Sequence, residues 1–351
     1  MSYKLFRFLA ICTIGVAAAT SSIAWAQSIT TFDAPGAGTG PGQGTFTGQN
    51  LQSLGTITGY YVDAGGVAHG YVRIGTTFTT FDAPGAGGFG TLAFGINQNG
   101  AVSGYYQDAA GAVHSYLRSS SGTFTSFDVL GALKTFALAI NPSGTISGLY
   151  RDTSHVAHGF VRTAAGAITS FDAPGSVQNI GDTLGLNPSG SISGAYFDGS
   201  QVAHGFLRTP DGTITTIDVP GAGTCCFLGT FAQMISQVGT IPGNYFDAGG
   251  VGHGFLRAVD GTITTFDVPG SSGTSGNAVN PAGTIAGGYT DAGGASHGFV
   301  RTAAGVITTF DPTGAGTGSG QGTFPLSISP SGQISGYYLD ANNVGHGFLV
   351  N

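Results

Sequence analysis

The chain has 351 residues and a net charge of −7 at neutral pH, with 17 acidic residues, all of them Asp, against 10 Lys and Arg. A chain this poor in basic residues has no electrostatic footprint for nucleic acid or an anionic lipid surface. Gly (64), Phe (24) and Tyr (13) are plentiful while Glu is absent and Lys and Met are scarce, so helix formers are missing and the 41% hydrophobic content argues for a packed all-β chain.

Residues 1–26 read as a signal peptide. Lys4 and Arg7 form its charged start, FLAICTIGVAAAT (8–20) its apolar stretch, and Ala24-Trp25-Ala26 its small-x-small cleavage site. The apolar run is too short for stable membrane insertion. Ile11 before Cys12 argues against a lipoprotein site. The expectation is a secreted or periplasmic protein with one domain, 27–351, and a monomer. After cleavage only Cys225 and Cys226 remain, too few for a disulfide framework, although an oxidising compartment would allow a strained vicinal disulfide between them.

SITTFD (28–33) comes next and reads as a lone strand. Then a unit G-x-Y-x-D-x-x-x-x-x-H recurs seven times, with successive histidines 45, 44, 46, 49, 44 and 49 residues apart. Its Asp/His members are Asp63/His69, Asp108/His114, Asp152/His158, Asp198/His204, Asp247/His253, Asp291/His297 and Asp340/His346. Each unit reads as four strands. Strand A is a short run such as LAFGIN (92–97), followed by a turn such as NPSG (141–144). Strand B carries the Tyr and the Asp, strand C is A-H-G-F-L-R, and strand D is I-T-T-F-D. Four strands in about 45 residues is the period of a propeller blade. The expected fold is therefore an all-β, seven-bladed β-propeller. The chain ends on strands B and C (335–351), so the lone N-terminal strand is expected to complete the last blade and close the ring.

The recurring His-Gly-Phe in a Gly-rich chain with an export signal resembles the bacterial extracellular HAF-repeat family. The resemblance spans nearly all of 27–351 and implies location and fold; it supplies no catalytic residue.

Chain direction alternates within a blade, so the B-strand Asp, the C-strand His and the D-strand Asp fall near one edge. The D-strand members are Asp82, Asp128, Asp172, Asp218, Asp267, Asp311, and Asp33 for the last blade. A His between two carboxylates is the raw material of acid–base or metal chemistry. Seven copies of one catalytic centre are rarely needed, whereas every blade needs its hairpin fixed, so these residues are assigned to a structural network. The Arg residues ending strand C (73, 118, 162, 208, 257, 301) are expected to pack across the blade edge. Asp-Ala-Gly-Gly (63–66, 247–250, 291–294) reads as a hairpin turn rather than a calcium loop.

Unshared residues are the place to look for function. Three D–A loops are long and related: GAGTGPGQGTF (36–46), GAGTCCFLGTF (221–231) and GAGTGSGQGTF (314–324). Cys225, Cys226, Phe227, Leu228, Gln43 and Gln321 in these loops, with Asp182 as the unrepeated Asp of another D–A loop, are the candidate binding residues. No phosphate-binding loop, nucleophile elbow, cofactor site or metal site is expected. The chain is expected to be a binding module for an extracellular ligand, a glycan, protein or small molecule, read through its D–A loop face. The alternative is a propeller lyase or hydrolase acting on glycans or small secreted molecules.

Overall fold

The computed structural model describes residues 28–52 and 55–351, without the side chains of residues 50, 52 and 178–184. The leader expected at 1–26, with Lys4, Arg7 and Cys12, lies outside the described residues. Every element named among them is a β-strand.

β1 (Ile29–Phe32) stands alone in sequence. β2 (Gly44–Gln52), β3 (Thr56–Val62), β4 (Ala68–Ile74) and β5 (Thr77–Phe81) pair antiparallel in series as one blade. The pattern repeats through β6 (Ala86–Ile96), β7 (Val102–Asp108), β8 (Val113–Arg118) and β9 (Phe124–Phe127). It continues in β10 (Lys134–Ile140), β11 (Ile146–Arg151), β12 (Ala157–Arg162) and β13 (Ile168–Phe171). Next come β14 (Ser176–Leu186), β15 (Ile192–Asp198), β16 (Ala203–Arg208) and β17 (Ile214–Ile217). Then follow β18 (Gly229–Ala232), β19 (Ile241–Phe246), β20 (Gly252–Arg257) and β21 (Ile263–Phe266). After these lie β22 (Gly273–Val279), β23 (Ile285–Thr290), β24 (Ser296–Arg301) and β25 (Ile307–Phe310). Last are β26 (Gly322–Ile328), β27 (Ile334–Leu339) and β28 (Gly345–Val350). β1 lies antiparallel on β28, with Ile29 opposite Val350 and Phe32 opposite Gly347. Strands from the two ends of the chain thus share one blade, as the orphan strand in the sequence predicted.

Adjacent blades touch through single parallel bridges, such as Ala68 to Gly90 and Gly345 to Gly44. The ends of the A strands converge on one cavity of about 110 Å³, lined by Gln49 and Leu51 of β2, Ile140 of β10, Leu186 of β14, Val279 of β22 and Ile328 of β26. Strand A is therefore the inner strand and strand D the outer.

The His-Gly-Phe triplet has a packing explanation. The Phe is core: Phe160, Phe206, Phe255, Phe299 and Phe348 are fully buried, as are Tyr71 and Tyr116 in the same position. The Gly is where the D-strand Phe ring crosses strand C; a Cβ on Gly159 would overlap the ring of Phe171. Each hydrophobic cluster spans two blades. Phe81 and Ala83 of one blade, for example, pack with Ala93, Ile96, Val102, Tyr106 and Tyr116 of the next. Blade-to-blade burial is the main cohesive force.

The strand-C arginines bind the same junctions. Arg73 lies 4.2 Å from the ring centroid of Phe32, and Arg162 4.7 Å from that of Phe127, each ring belonging to the preceding blade's strand D. At their polar ends Arg118, Arg162, Arg208, Arg257 and Arg301 donate to the next backbone carbonyl, as Arg162 does to Thr163 at 3.4 Å. Both contacts match the packing role expected of these residues.

At the A–B turns the repeat's Asn is buried and acts locally and across blades. Asn141 Oδ1 accepts the Thr145 N–H at 3.0 Å, while its Nδ2 donates to the Asn187 carbonyl of the next blade at 3.3 Å. Asn97 donates to the Asn141 carbonyl in the same way at 3.2 Å. These amides stitch neighbouring turns around the axis.

Two strands start earlier than expected. β6 begins at Ala86 and β14 at Ser176, so the strand is drawn through what reads as a D–A loop. Asp182 consequently belongs to β14, in the stretch where register jumps between Ile180 and Gly185, and not to a loop. Its side chain lies outside the described residues.

Candidate binding site

The Asp-His-Asp grouping forms as predicted. In β12 the His158 Nδ1–H donates to Asp172 at 2.9 Å, and Nε2 lies 3.5 Å from Asp152. The closing blade uses both chain ends: His346 Nδ1 sits 3.0 Å from Asp33 and Nε2 3.8 Å from Asp340. The same pairs form at His69 with Asp82 and Asp63, His114 with Asp128 and Asp108, and His204 with Asp218 and Asp198. They recur at His253 with Asp267 and Asp247, and at His297 with Asp311 and Asp291.

The repeat's Tyr completes the lock. Tyr150 faces His158 across the strand pair and stacks on its ring at 5.0 Å. The B-strand Asp also closes the hairpin, with Asp152 Oδ1 accepting the N–H groups of Ser154 and Val156 at 2.8 and 2.9 Å. The Asp-Ala-Gly-Gly stretches do the same, as Asp63 accepts from Gly65 and Val67. These are hairpin turns.

Backbone hydrogen bonds, aided by the His, hold the Asp63, Asp108, Asp152, Asp198, Asp247 and Asp291 carboxyls below their usual range. Burial alone pulls His114, His158 and His297 down, but the paired carboxylates outweigh it and leave all three raised. Among the described residues no three His, Cys, Asp or Glu side chains converge as a metal site.

The three related loops diverge in their chemistry. Gln43 accepts from the Gly40 N–H at 2.8 Å and donates to the Ala64 carbonyl at 3.1 Å. Gln321 accepts from Gly318 and donates to Ala341 at 3.1 Å. Both amides pin their loop to a neighbouring B–C turn, so they are spent on loop shape. In the third loop Leu228 takes the glutamine position and Phe227 takes that of Gly42 and Gly320. Those glycines have φ of 76° and 78°; Phe227 adopts 67° and Cys226 59°. A bulky residue held in the left-handed region costs about 1–3 kcal/mol.

Phe227 is 60% exposed yet not isolated. Its ring meets Phe197 edge-on at 5.4 Å, Phe197 meets Phe231 at 6.3 Å, and Phe231 meets Phe246 at 5.7 Å. Cys225 and Cys226 are exposed free thiols in the structure, not a vicinal disulfide. Adjacent Cα atoms about 3.8 Å apart fall below the roughly 4.4 Å minimum of ordinary disulfides, so closing the ring would strain the loop. The Cys225 thiol, donating to Cys226 and facing that residue's sulfur charge when both ionise, has its pKa raised.

The aromatic ladder ends in a cleft that sequence reasoning missed. It has a volume of about 260 Å³ and is lined by Asn244 and Phe246 of β19, Ser275 and Asn277 of β22, Tyr289 of β23 and Phe324 of β26, among others. The A strands begin and the B strands end at this edge, which puts the cleft on the D–A loop face with Phe227. The signal lay in the repeat's exceptions. Ser275 and Gly288 face each other where β2–β3 has Phe46 and Tyr60 and β26–β27 has Phe324 and Tyr337. Asn244 stands at the same B-strand position, which is Tyr60, Tyr105 and Tyr337 in three other blades and Leu149 and Ala195 in two more.

No family model and no curated protein matches the chain. Solved structures do. Virginiamycin B lyase from Staphylococcus aureus, as its selenomethionine form, superposes with a TM-score of 0.61 at 13% identity, over 93% of this chain and 99% of that one. The β-propeller domain of the Trilobed protease from Pyrococcus furiosus, described as having an open velcro topology, gives 0.57 at 8% identity over 87% and 95%. The fold is a β-propeller. The BP39L lectin from Burkholderia pseudomallei gives 0.56 at 12% identity over 86% and 94%. At such identities the likeness carries the fold of this propeller and not its chemistry. Among the described residues no helix is long and apolar enough to cross a membrane.

Proposed function

We propose that this chain is an exported, seven-bladed propeller of the HAF-repeat type, cleaved after Ala26 and closed by β1 on β28, which binds an extracellular ligand on its D–A loop face. The pairing of β1 with β28 and the four-strand period support the blade count and the closure. The observation carrying the binding reading is the ladder from Phe227 through Phe197 and Phe231 to Phe246. A glycine position is given to a strained, exposed Phe, connected through Phe197 and Phe231 to the Phe246 wall of the D–A-face cleft. The strain is at most matched by one edge-to-face contact while most of the ring stays exposed, a pattern found where a surface serves a partner.

Lectins and lyases both occur among the structural neighbours. The described residues lining the cleft include no carboxylate, His, Lys or Arg, and the nearest histidines are held between carboxylates. Binding is therefore favoured over acid–base catalysis. Phe227→Gly tests the reading. Relief of the left-handed strain roughly offsets the lost edge-to-face contact, so stability should stay within about 1 kcal/mol of the wild type. Array positives for glycans and small molecules should be lost. Positives that survive Phe227→Gly unchanged, or an array with none, would sink the proposal.

A further inference from the structure

We infer that the cleft is a site for a neutral saccharide ring, a conclusion resting on the reading that the D–A face is the binding face. The space exists because the repeat is broken in one blade. Phe46, Phe136, Phe231 and Phe324 fill the same strand-A position in other blades, and β22 replaces that ring with Ser275, opposite Gly288. What the missing rings leave is polar, ordered and uncharged. Asn277 Nδ2 donates to the Pro325 carbonyl at 2.8 Å, which fixes the amide so that its Oδ1 accepts from Ser275 Oγ at 2.9 Å. The one Ser275 Oγ proton is shared with Asn244 Oδ1 at 3.3 Å, and an Asn244 amide held through its oxygen keeps its Nδ2 donors for a ligand.

Three properties select the ligand class. The walls Phe246 and Phe324 offer apolar surface to the C–H face of a ring. The Asn amides set a donor and an acceptor side by side, which matches vicinal hydroxyls that need both. The described lining holds no charge, while Asp247 and Asp291 directly follow the lining residues Phe246 and Thr290, so an anion is disfavoured and a cation finds no charged partner inside. A volume of about 260 Å³ lies below the usual range for drug-sized ligands and suits one pyranose ring.

The probes are the methyl glycosides of glucose, galactose, mannose, fucose and N-acetylglucosamine, with glucuronate as the charged control. Binding is read by saturation-transfer NMR and calorimetry on the purified protein. At least one neutral glycoside should bind with millimolar affinity, and glucuronate should not bind more tightly. Ser275→Phe, which restores the ring other blades carry, should weaken binding at least tenfold without lowering the melting temperature. Asn244→Leu should weaken it similarly. Absence of binding by every neutral glycoside, preference for glucuronate, or indifference to Ser275→Phe would overturn the assignment. The two readings fail separately. A ligand lost in Phe227→Gly but indifferent to Ser275→Phe keeps the face and removes the saccharide cleft. A glycoside lost in Ser275→Phe but indifferent to Phe227→Gly keeps the cleft and removes the ladder.

Discussion

His158 sits with Tyr150 on one ring face, Asp172 on Nδ1 and Asp152 near Nε2. These contacts join strands B, C and D of the blade. The side chains are only partly shielded, with His158 21% and Asp172 49% exposed, so water competes for each bond. The cost of removing one copy is correspondingly modest. His158→Ala is expected to destabilise by about 1 kcal/mol, a shift of a few degrees in melting temperature, with ligand binding at the cleft unchanged. Thermal melts beside a binding titration check this; lost binding at unchanged stability would reverse the assignment. The neighbouring Gly159 is less tolerant, because the Phe171 ring occupies the place of its side chain.

At the scale of the element, the three-residue lock couples each blade to pH. His114, His158 and His297 have raised folded-state pKa values, so their contribution is complete below the ordinary value of 6.5 and is lost as pH rises through the raised values. The hairpin Asp residues are depressed, so theirs is complete above 3.8 and is lost as pH falls through the lowered values. Stability should therefore peak between about pH 4 and 6.5 and decline on both sides. A melting-temperature profile from pH 2.5 to 9 reads this directly. In the Asp152→Asn variant the acid-side decline should be shallower, and an unchanged profile would remove the hairpin Asp as its source. The A–B turns obey different chemistry, since Asn141 and Asn97 hold them through uncharged amides that do not titrate over this range.

For the whole molecule, closure depends on four residues of β1 laid on β28. Without them β28 would present an unpaired edge, and the buried cluster holding Phe348 and Val350 would lose the cover of Ile29. Deletion of residues 28–33 is expected to broaden the unfolding transition, lower its midpoint and promote association through the free edge. Calorimetry with light scattering measures both effects. A deleted chain that melts as sharply and as high as the parent would show that the junction contributes little.

The period, the strand types, the Asp-His-Asp grouping and the pairing of the two ends were all legible in the sequence. Each rests on a rule that acts within about 45 residues or is copied from blade to blade: alternation, turn chemistry, and a His with a carboxylate on each side. The physical meaning of His-Gly-Phe needed the structure, because the ring over Gly159 comes from a different strand. Asp182 could not be placed from sequence, since whether a segment is loop or bulged strand depends on the partner strand's register. Gln43 and Gln321 looked available until the neighbouring turns were seen to hold them. The cleft was the least visible feature of all. Ser275, Gly288 and Asn244 are unremarkable polar or small residues in a line of sequence, and they become a site only because two neighbouring blades bring them to one edge, at a position where β2–β3 and β26–β27 carry paired rings. Local chemistry repeated along the chain fixes the scaffold; a cavity is a difference between neighbours in space, which only the tertiary structure brings together.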